Sequence, residues 1–203
     1  MRKNRAMNIS AIKAPMLAVA LAAALSGCVS LGKEPPPSLF TLTAASSAPA
    51  GHATSGRADQ ALVVLDPDAP QKLDVTRVPV QVNAATVAYL KDAMWVEKPA
   101  RLFGRLLAET VRAGQKRMVV EGTDLRYGAA TKLSGQLLEM GYDATSQSAI
   151  VRFDAVLVQP DGTILTRRFE NIVPGITADA ISVAPALNQA ANNVAAQVAE
   201  WVG

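Results

Sequence analysis

The stretch SAIVRFDAVLVQPDGTILTRRFENIV, residues 148–173, decides the fold class. Between Ser148 and Gln159, Val151, Phe153, Ala155 and Leu157 alternate with Arg152, Asp154, Val156 and Val158, so one face is wholly apolar and the other mixed. Successive side chains of a strand point to opposite faces, and this period of two marks a strand with one buried side. Pro160-Asp161-Gly162 reads as a hairpin turn, because proline presets the first bend and glycine accepts positive φ. Thr163 to Val173 is then the returning strand, and Gln136, Leu138, Met140 and Tyr142 predict a partner on the other side. Three antiparallel strands in a meander follow.

Helical patterns stand on both sides of this meander. Pro99 opens one helix, as proline at the first helical position does, and Gly114 closes it. Leu102, Phe103, Leu106, Leu107 and Val111 form its apolar stripe, with Arg101, Arg105, Glu109 and Arg112 on the other side. The last element runs from about Val183 to Val202, where Ala184, Leu187, Ala191, Val194, Val198 and Trp201 recur at spacings of three and four. That seam favours a helix lying on its own sheet, with a contact with another copy in a homo-oligomer as the alternative.

Shorter extended runs precede the first helix. Leu62-Val63-Val64-Leu65 reads as a buried strand stopped by Asp66-Pro67-Asp68-Ala69-Pro70. The aspartates there lack the glycine and distal glutamate of a calcium loop, so a turn is the reading. Val78, Val80 and Val82 alternate with Arg77, Pro79 and Gln81; Pro79 has no ladder donor, which puts this strand at an edge or a bulge. Thr86 to Leu90 continues the extended pattern, and Met118-Val119-Val120 returns as a strand. The expectation is an α+β fold, a mostly antiparallel sheet with helices packed against it, in one domain over residues 61–203.

The N-terminal part is of another kind. Arg2, Lys3, Arg5 and Lys13 form a basic region without acidic residues, followed by an apolar run from Ala14 to Leu25. This is the pattern of a secretory signal peptide, and the run is short of the roughly 20 residues that a spanning helix needs. Leu25-Ser26-Gly27-Cys28 resembles the bacterial lipobox, which implies cleavage after residue 27, signal-peptidase recognition of Leu25, Ser26 and Gly27, and acylation of Cys28. That resemblance implies a membrane-lipid anchor through the acyl chains, and Val29 after the cysteine favours the outer membrane. Residues 28–60 read as an acylated N-terminus and a Pro/Ala/Ser-rich flexible tether, with a short strand near 39–42.

Removal of residues 1–27 changes the charge argument. The chain carries 20 basic and 17 acidic residues, but four basic ones and no acidic one precede Cys28, leaving the remainder at 16 against 17. The pI of about 9.2 therefore belongs largely to the leader and gives no support for a nucleic-acid partner. Cys28 is the single cysteine and His52 the single histidine, so no disulfide, thiol nucleophile or histidine-dependent triad is available. No phosphate-binding loop, nucleophile elbow, metal motif or cofactor motif occurs, and no catalytic residue is assigned. Carboxylate pairing among Glu97, Glu121, Glu139 and the aspartates is the one enzymatic alternative left open.

Taken together, the lipobox, the Pro-rich spacer into Leu39-Phe40-Thr41-Leu42, the strand with Arg77-Val78-Pro79-Val80, Trp95 ahead of Pro99 and its helix, the Pro160-Asp161-Gly162 hairpin and the terminal amphipathic helix resemble one family. It is the ABC-type transport auxiliary lipoprotein family. The resemblance implies a non-catalytic component on the periplasmic face of the outer membrane, partnered by the MCE-domain protein of an ABC-type lipid transporter. An envelope scaffold or assembly lipoprotein that binds protein partners without handling lipid is the alternative. Tyr89 and Trp95, between sheet and helix, are the candidate partner contacts, with core packing as their other role.

Overall fold

The computed structural model describes residues 38–203 apart from 115–116 and 123–129. Seven strands and two helices follow in the order β1 (Leu62–Val64), β2 (Arg77–Asn83), β3 (Thr86–Met94), α1 (Pro99–Ala113), β4 (Val119–Glu121), β5 (Thr131–Asp143), β6 (Ser148–Val158), β7 (Ile164–Pro174) and α2 (Ala180–Val202). The meander is as expected: β5, β6 and β7 pair antiparallel in unbroken sequence order. The turn between β6 and β7 is closed by Gly162 N–H donating to the Gln159 carbonyl, with Gly162 at φ 87°.

The sheet is mixed rather than mostly antiparallel. β5 is its spine: along one edge it pairs with β6, and along the other it runs parallel to β1 at Thr131–Leu133 and to β2 at Tyr142 and Asp143. Beyond β1 lies β4, also parallel, and beyond β2 lies β3, antiparallel. The sheet thus forks, with β1 and β4 on one arm and β2 and β3 on the other. Parallel neighbours need long crossover connections, and such pairings between distant segments leave no mark in a local apolar pattern. β2 is likewise flanked on both sides, so Pro79 occupies no edge; it sits at the register shift between Arg77 and Pro79, the bulge alternative.

Both helices cover one face of the sheet. The odd-numbered residues Val151, Phe153, Ala155 and Leu157 of β6 are buried as their alternation predicts, beside Leu133, Leu137, Met140 and Tyr142 of β5. Leu138 is displaced from this set because a bulge between Leu137 and Glu139 resets the alternation of β5. From α1 come Leu102, Phe103, Leu106, Leu107 and Val111, and Phe103 meets Phe153 edge-on at 5.2 Å between ring centres. α2 contributes a wider stripe than its seam suggested: Val183, Ala186, Leu187, Ala190, Ala191, Val194, Ala195 and Val198 are all buried. It packs on its own sheet. The helix begins three residues earlier than the sequence pattern, because the Asp179 carboxylate accepts from Ser182 N–H at 2.8 Å and caps it.

The segment read as a flexible tether is also revised within the described residues. Phe40 is buried and forms a bridge with Trp95: its N–H donates to the Met94 carbonyl at 2.7 Å, and Val96 N–H donates to its carbonyl at 2.9 Å. Residues beyond it lie against the helices. The Asn188 side-chain oxygen accepts from Thr43 N–H at 2.8 Å, that of Asn192 from Ala45 N–H at 2.7 Å, and Glu109 Oε1 from Ala48 N–H at 2.8 Å. Asn192 also donates to the Thr43 carbonyl. Leu42 and Ala44 pack partly buried against the core; the rest of the strap has little apolar area, and helix side chains hold its backbone. The signal peptide, Leu25, Ser26, Gly27 and Cys28 lie outside the described residues.

Candidate interaction surface

Trp95 and Tyr89 have different fates. Trp95 is 2 % exposed, so in this fold it is a core residue and offers no surface to a partner. Its ring packs perpendicular to Phe40 at 5.5 Å, and its indole N–H has no acceptor among the described residues, so packing holds the side chain while the backbone N–H donates to the Thr76 carbonyl at 2.7 Å. Tyr89 is half-buried on β3, with the Arg77 guanidinium 3.7 Å above its ring. A cation over a tyrosine face is stabilised by the ring quadrupole, by about 0.5–1 kcal/mol where solvent reaches it. Tyr89 stays a candidate contact; the fold takes Trp95 for the core.

Where Phe40 and Trp95 point inward, their neighbours point outward. Leu39 and Val96, flanking the bridge, are 50 % and 52 % exposed. Neither was singled out from sequence: Leu39 read as part of the short strand near 39–42, and Val96 carried no pattern of its own.

The sheet face turned away from the helices is open and charged. Glu139, Arg152 and Glu170 stand opposite one another across β5, β6 and β7, and so do Gln136, Asp154 and Arg168. Arg168 binds Asp154 through two bonds of 2.6 and 2.7 Å, Arg152 binds Glu170, and Lys72 reaches Glu139 at 2.7 Å. The first cause of the lowered Asp154 pKa is its bond to Arg168. A carboxyl depressed in the folded state contributes stability above its unfolded pKa and loses it as pH falls through the folded value. We expect Arg168→Gln to lower stability only slightly at pH 7, since the pair is solvent-exposed and screened, and to lose even that small effect as pH falls through the folded pKa of Asp154. Melting curves from pH 7 down to 2 check this; an equal loss at pH 2 would refute the charge argument.

Each of the glutamates open to a catalytic reading is held by a basic side chain. Glu97 is bound by Arg105, with Arg101 3.9 Å from both Glu97 and Asp66; Glu121 shares Arg112 with Glu109, at 2.7 Å from Glu121; and Glu139 is bound by Lys72. Among the described residues no group of three or more His, Cys, Asp or Glu is placed to hold a metal ion. A hollow of about 700 Å³ lies between residues 54–60 and the end of α2, walled by Arg117, Thr131, Leu157, Leu165 and Trp201. Arg117 donates to Thr131 Oγ1 at 2.9 Å and to the Val202 carbonyl at 3.3 Å, which ties the helix end to β5. Among the described residues no helix is long and apolar enough to cross a membrane.

The domain is thus an α+β fold, a forked mixed sheet with two helices on one face and a charged, open opposite face. The family model for the ABC-type transport auxiliary lipoprotein component matches residues 40–199, and the chain belongs to that family. The match begins at Phe40, where the chain joins the core. Among solved structures, protein XCC0632 from Xanthomonas campestris, described as a DUF330 protein, is 21 % identical with a TM-score of 0.60, covering 82 % of this chain and 92 % of its own. An uncharacterised protein is 13 % identical with a TM-score of 0.61, covering 71 % and 93 %. At these identities the likeness establishes the fold. No curated protein matches the chain.

Proposed function

We propose that the protein is a non-catalytic auxiliary component of an ABC/MCE-type lipid transport system, anchored in the outer membrane through acylated Cys28 and docking or assembling the transfer complex in the periplasm. The observation that carries this reading is the family match over residues 40–199, twelve residues behind a Leu25-Ser26-Gly27-Cys28 lipobox. Val29 supports the outer-membrane destination by the same resemblance. The open face of β5, β6 and β7 and the surface around Tyr89 are the places for protein contact, because neither is covered by a helix of this chain.

The short distance from Cys28 to Phe40 constrains how docking works. A trans chain spans at most about 3.3–3.6 Å per residue, so these residues reach at most about 40 Å. That is about one diameter of a domain of this size. The transport partner must therefore come to the membrane-held domain.

The test is co-purification of the tagged, acylated protein from native membranes in mild detergent, beside Cys28→Ala. We expect an MCE-domain protein to be recovered with the acylated form, and Cys28→Ala to leave the membrane fraction. Recovery of envelope structural proteins alone, even after cross-linking, would replace the transport reading with the scaffold.

A further inference from the structure

The chain enters the domain at a small apolar outcrop. In extended backbone Phe40 and Trp95 point to the core, so Leu39, Met94 and Val96 belong to the opposite side. Leu39 and Val96 are about half exposed and Met94 is half-buried. Close by in sequence, Lys98 is bound to Asp74 at 2.6 Å and Glu97 to Arg105, so these charges are satisfied beside the patch.

We infer that this patch rests on the lipid bilayer that holds the acyl chains of Cys28. The inference depends on the acylation proposed above, and its first support is the length of chain between the anchor and the fold. Eleven residues separate Cys28 from Phe40, and the chain arrives at Leu39 itself. With so short a connection, the surface around Leu39 is the part of the domain held nearest the membrane. The second support is chemical. Aliphatic side chains gain by leaving water in proportion to the area they bury. An attached anchor raises the effective concentration of the bilayer at the patch, so a contact too weak to form freely becomes populated. The face of β5, β6 and β7 also exposes Ile164 and Ile172 of β7, but these stand apart, with Arg168 and Glu170 between them and Arg152 and Asp154 alongside, and the chain from Cys28 does not arrive there.

The experiment uses the acylated protein carrying Val96→Cys. Cys28 is the only cysteine and its sulfur is consumed by the thioether, so the introduced thiol alone takes an environment-sensitive fluorophore. Thr166→Cys on the open face of β7 serves as the exposed reference, and Leu39→Cys repeats the measurement at the second patch position. The proteins are bound to phosphatidylethanolamine/phosphatidylglycerol vesicles containing nitroxide-labelled lipid. We expect quenching at positions 96 and 39 to exceed that at 166 by at least about threefold. Equal quenching at all three sites in protein that floats with the vesicles overturns the membrane contact and leaves acylation standing. A blue-shifted but unquenched label at 96 shows a protein partner on the patch and overturns it too. Protein that fails to float, like its Cys28→Ala control, overturns the acylation and the contact together.

Discussion

Gly135→Ala is expected to lower the stability of the domain by about 3 kcal/mol, the upper end of the usual range for forcing an extra carbon into packed structure. Gly135 sits in β5 opposite Ala155 of β6, with φ at 154°. A Cβ there would lie 2.1 Å from the Asp154 carbonyl oxygen and 2.7 Å from Cζ of Phe153. The first neighbour is backbone and the second is a core ring wedged against Phe103, so neither can yield cheaply. The Gly135 carbonyl also accepts from Asp68 N–H at 2.9 Å, which commits the other edge of the strand. For a domain of this length about 1 kcal/mol moves the melting temperature by roughly 2–4 °C. The purified variant should melt near 10 °C below the parent or fail to accumulate. Gly162→Ala is the comparison, because Gly162 has φ 87° in the hairpin turn and no heavy atom within 4 Å of a Cβ. Strain alone then acts there, worth about 1 kcal/mol. Similar melting of the two variants would refute close approach as the reason for glycine at 135.

Phe40→Ala should have the second large effect, and it should be local in structure while large in energy. Truncating a buried phenylalanine costs about 3–5 kcal/mol, and Phe40, slightly exposed, belongs at the lower end. The loss removes the ring that packs on Trp95 and weakens the bridge at Met94 and Val96. Downstream, the strap from Thr43 to Ala48 is held by hydrogen bonds from backbone to Asn188, Asn192 and Glu109, without a buried side chain. Neutral hydrogen bonds contribute about 0.5–1.5 kcal/mol each, against about 1–2 kcal/mol per residue for ordering the backbone. The strap therefore depends on Phe40 to stay in place. Limited proteolysis should cut the variant between residues 41 and 60 while leaving residues 61–203 intact. The reach from Cys28 would then run to Ala61 and rise to about 110 Å. An N-terminal segment as protected as in the parent would show that the asparagines hold it unaided.

How much of this was legible in the sequence depends on the range of the interaction. The β6–β7 hairpin and α1 were readable because their signals are local: strict alternation around Pro160-Asp161-Gly162, and Pro99 and Gly114 at the two ends of an apolar stripe. The parallel placing of β1 and β2 beside β5 was not, since one three-residue ladder and one two-residue ladder join segments far apart in the chain. Leu138 looked inward until the bulge passed that role to Leu137. The strap was missed because apolar content was the criterion, and a backbone held by asparagine side chains leaves no apolar trace. At the candidate surface, Tyr89 lies half-buried on β3, in line with the extended pattern from Thr86 to Leu90. The burial of Trp95 was not legible, because only the bridge to Phe40 decides which way it faces.

The double pairing of β5 also governs the order in which the domain can assemble. A chain synthesised from its N-terminus presents Leu62–Val64 and Arg77–Asn83 well before Thr131–Asp143 exists to receive them. β5, β6 and β7 can close on one another through short hairpins, whereas β1 and β2 wait for that template, and long-range pairings of this kind form late. Until then Leu62-Val63-Val64 has no β5 to join, and Val78-Pro79-Val80 has only its hairpin with β3. Strand edges left open in this way invite aggregation, so a nascent chain gains from a chaperone until its last third has arrived.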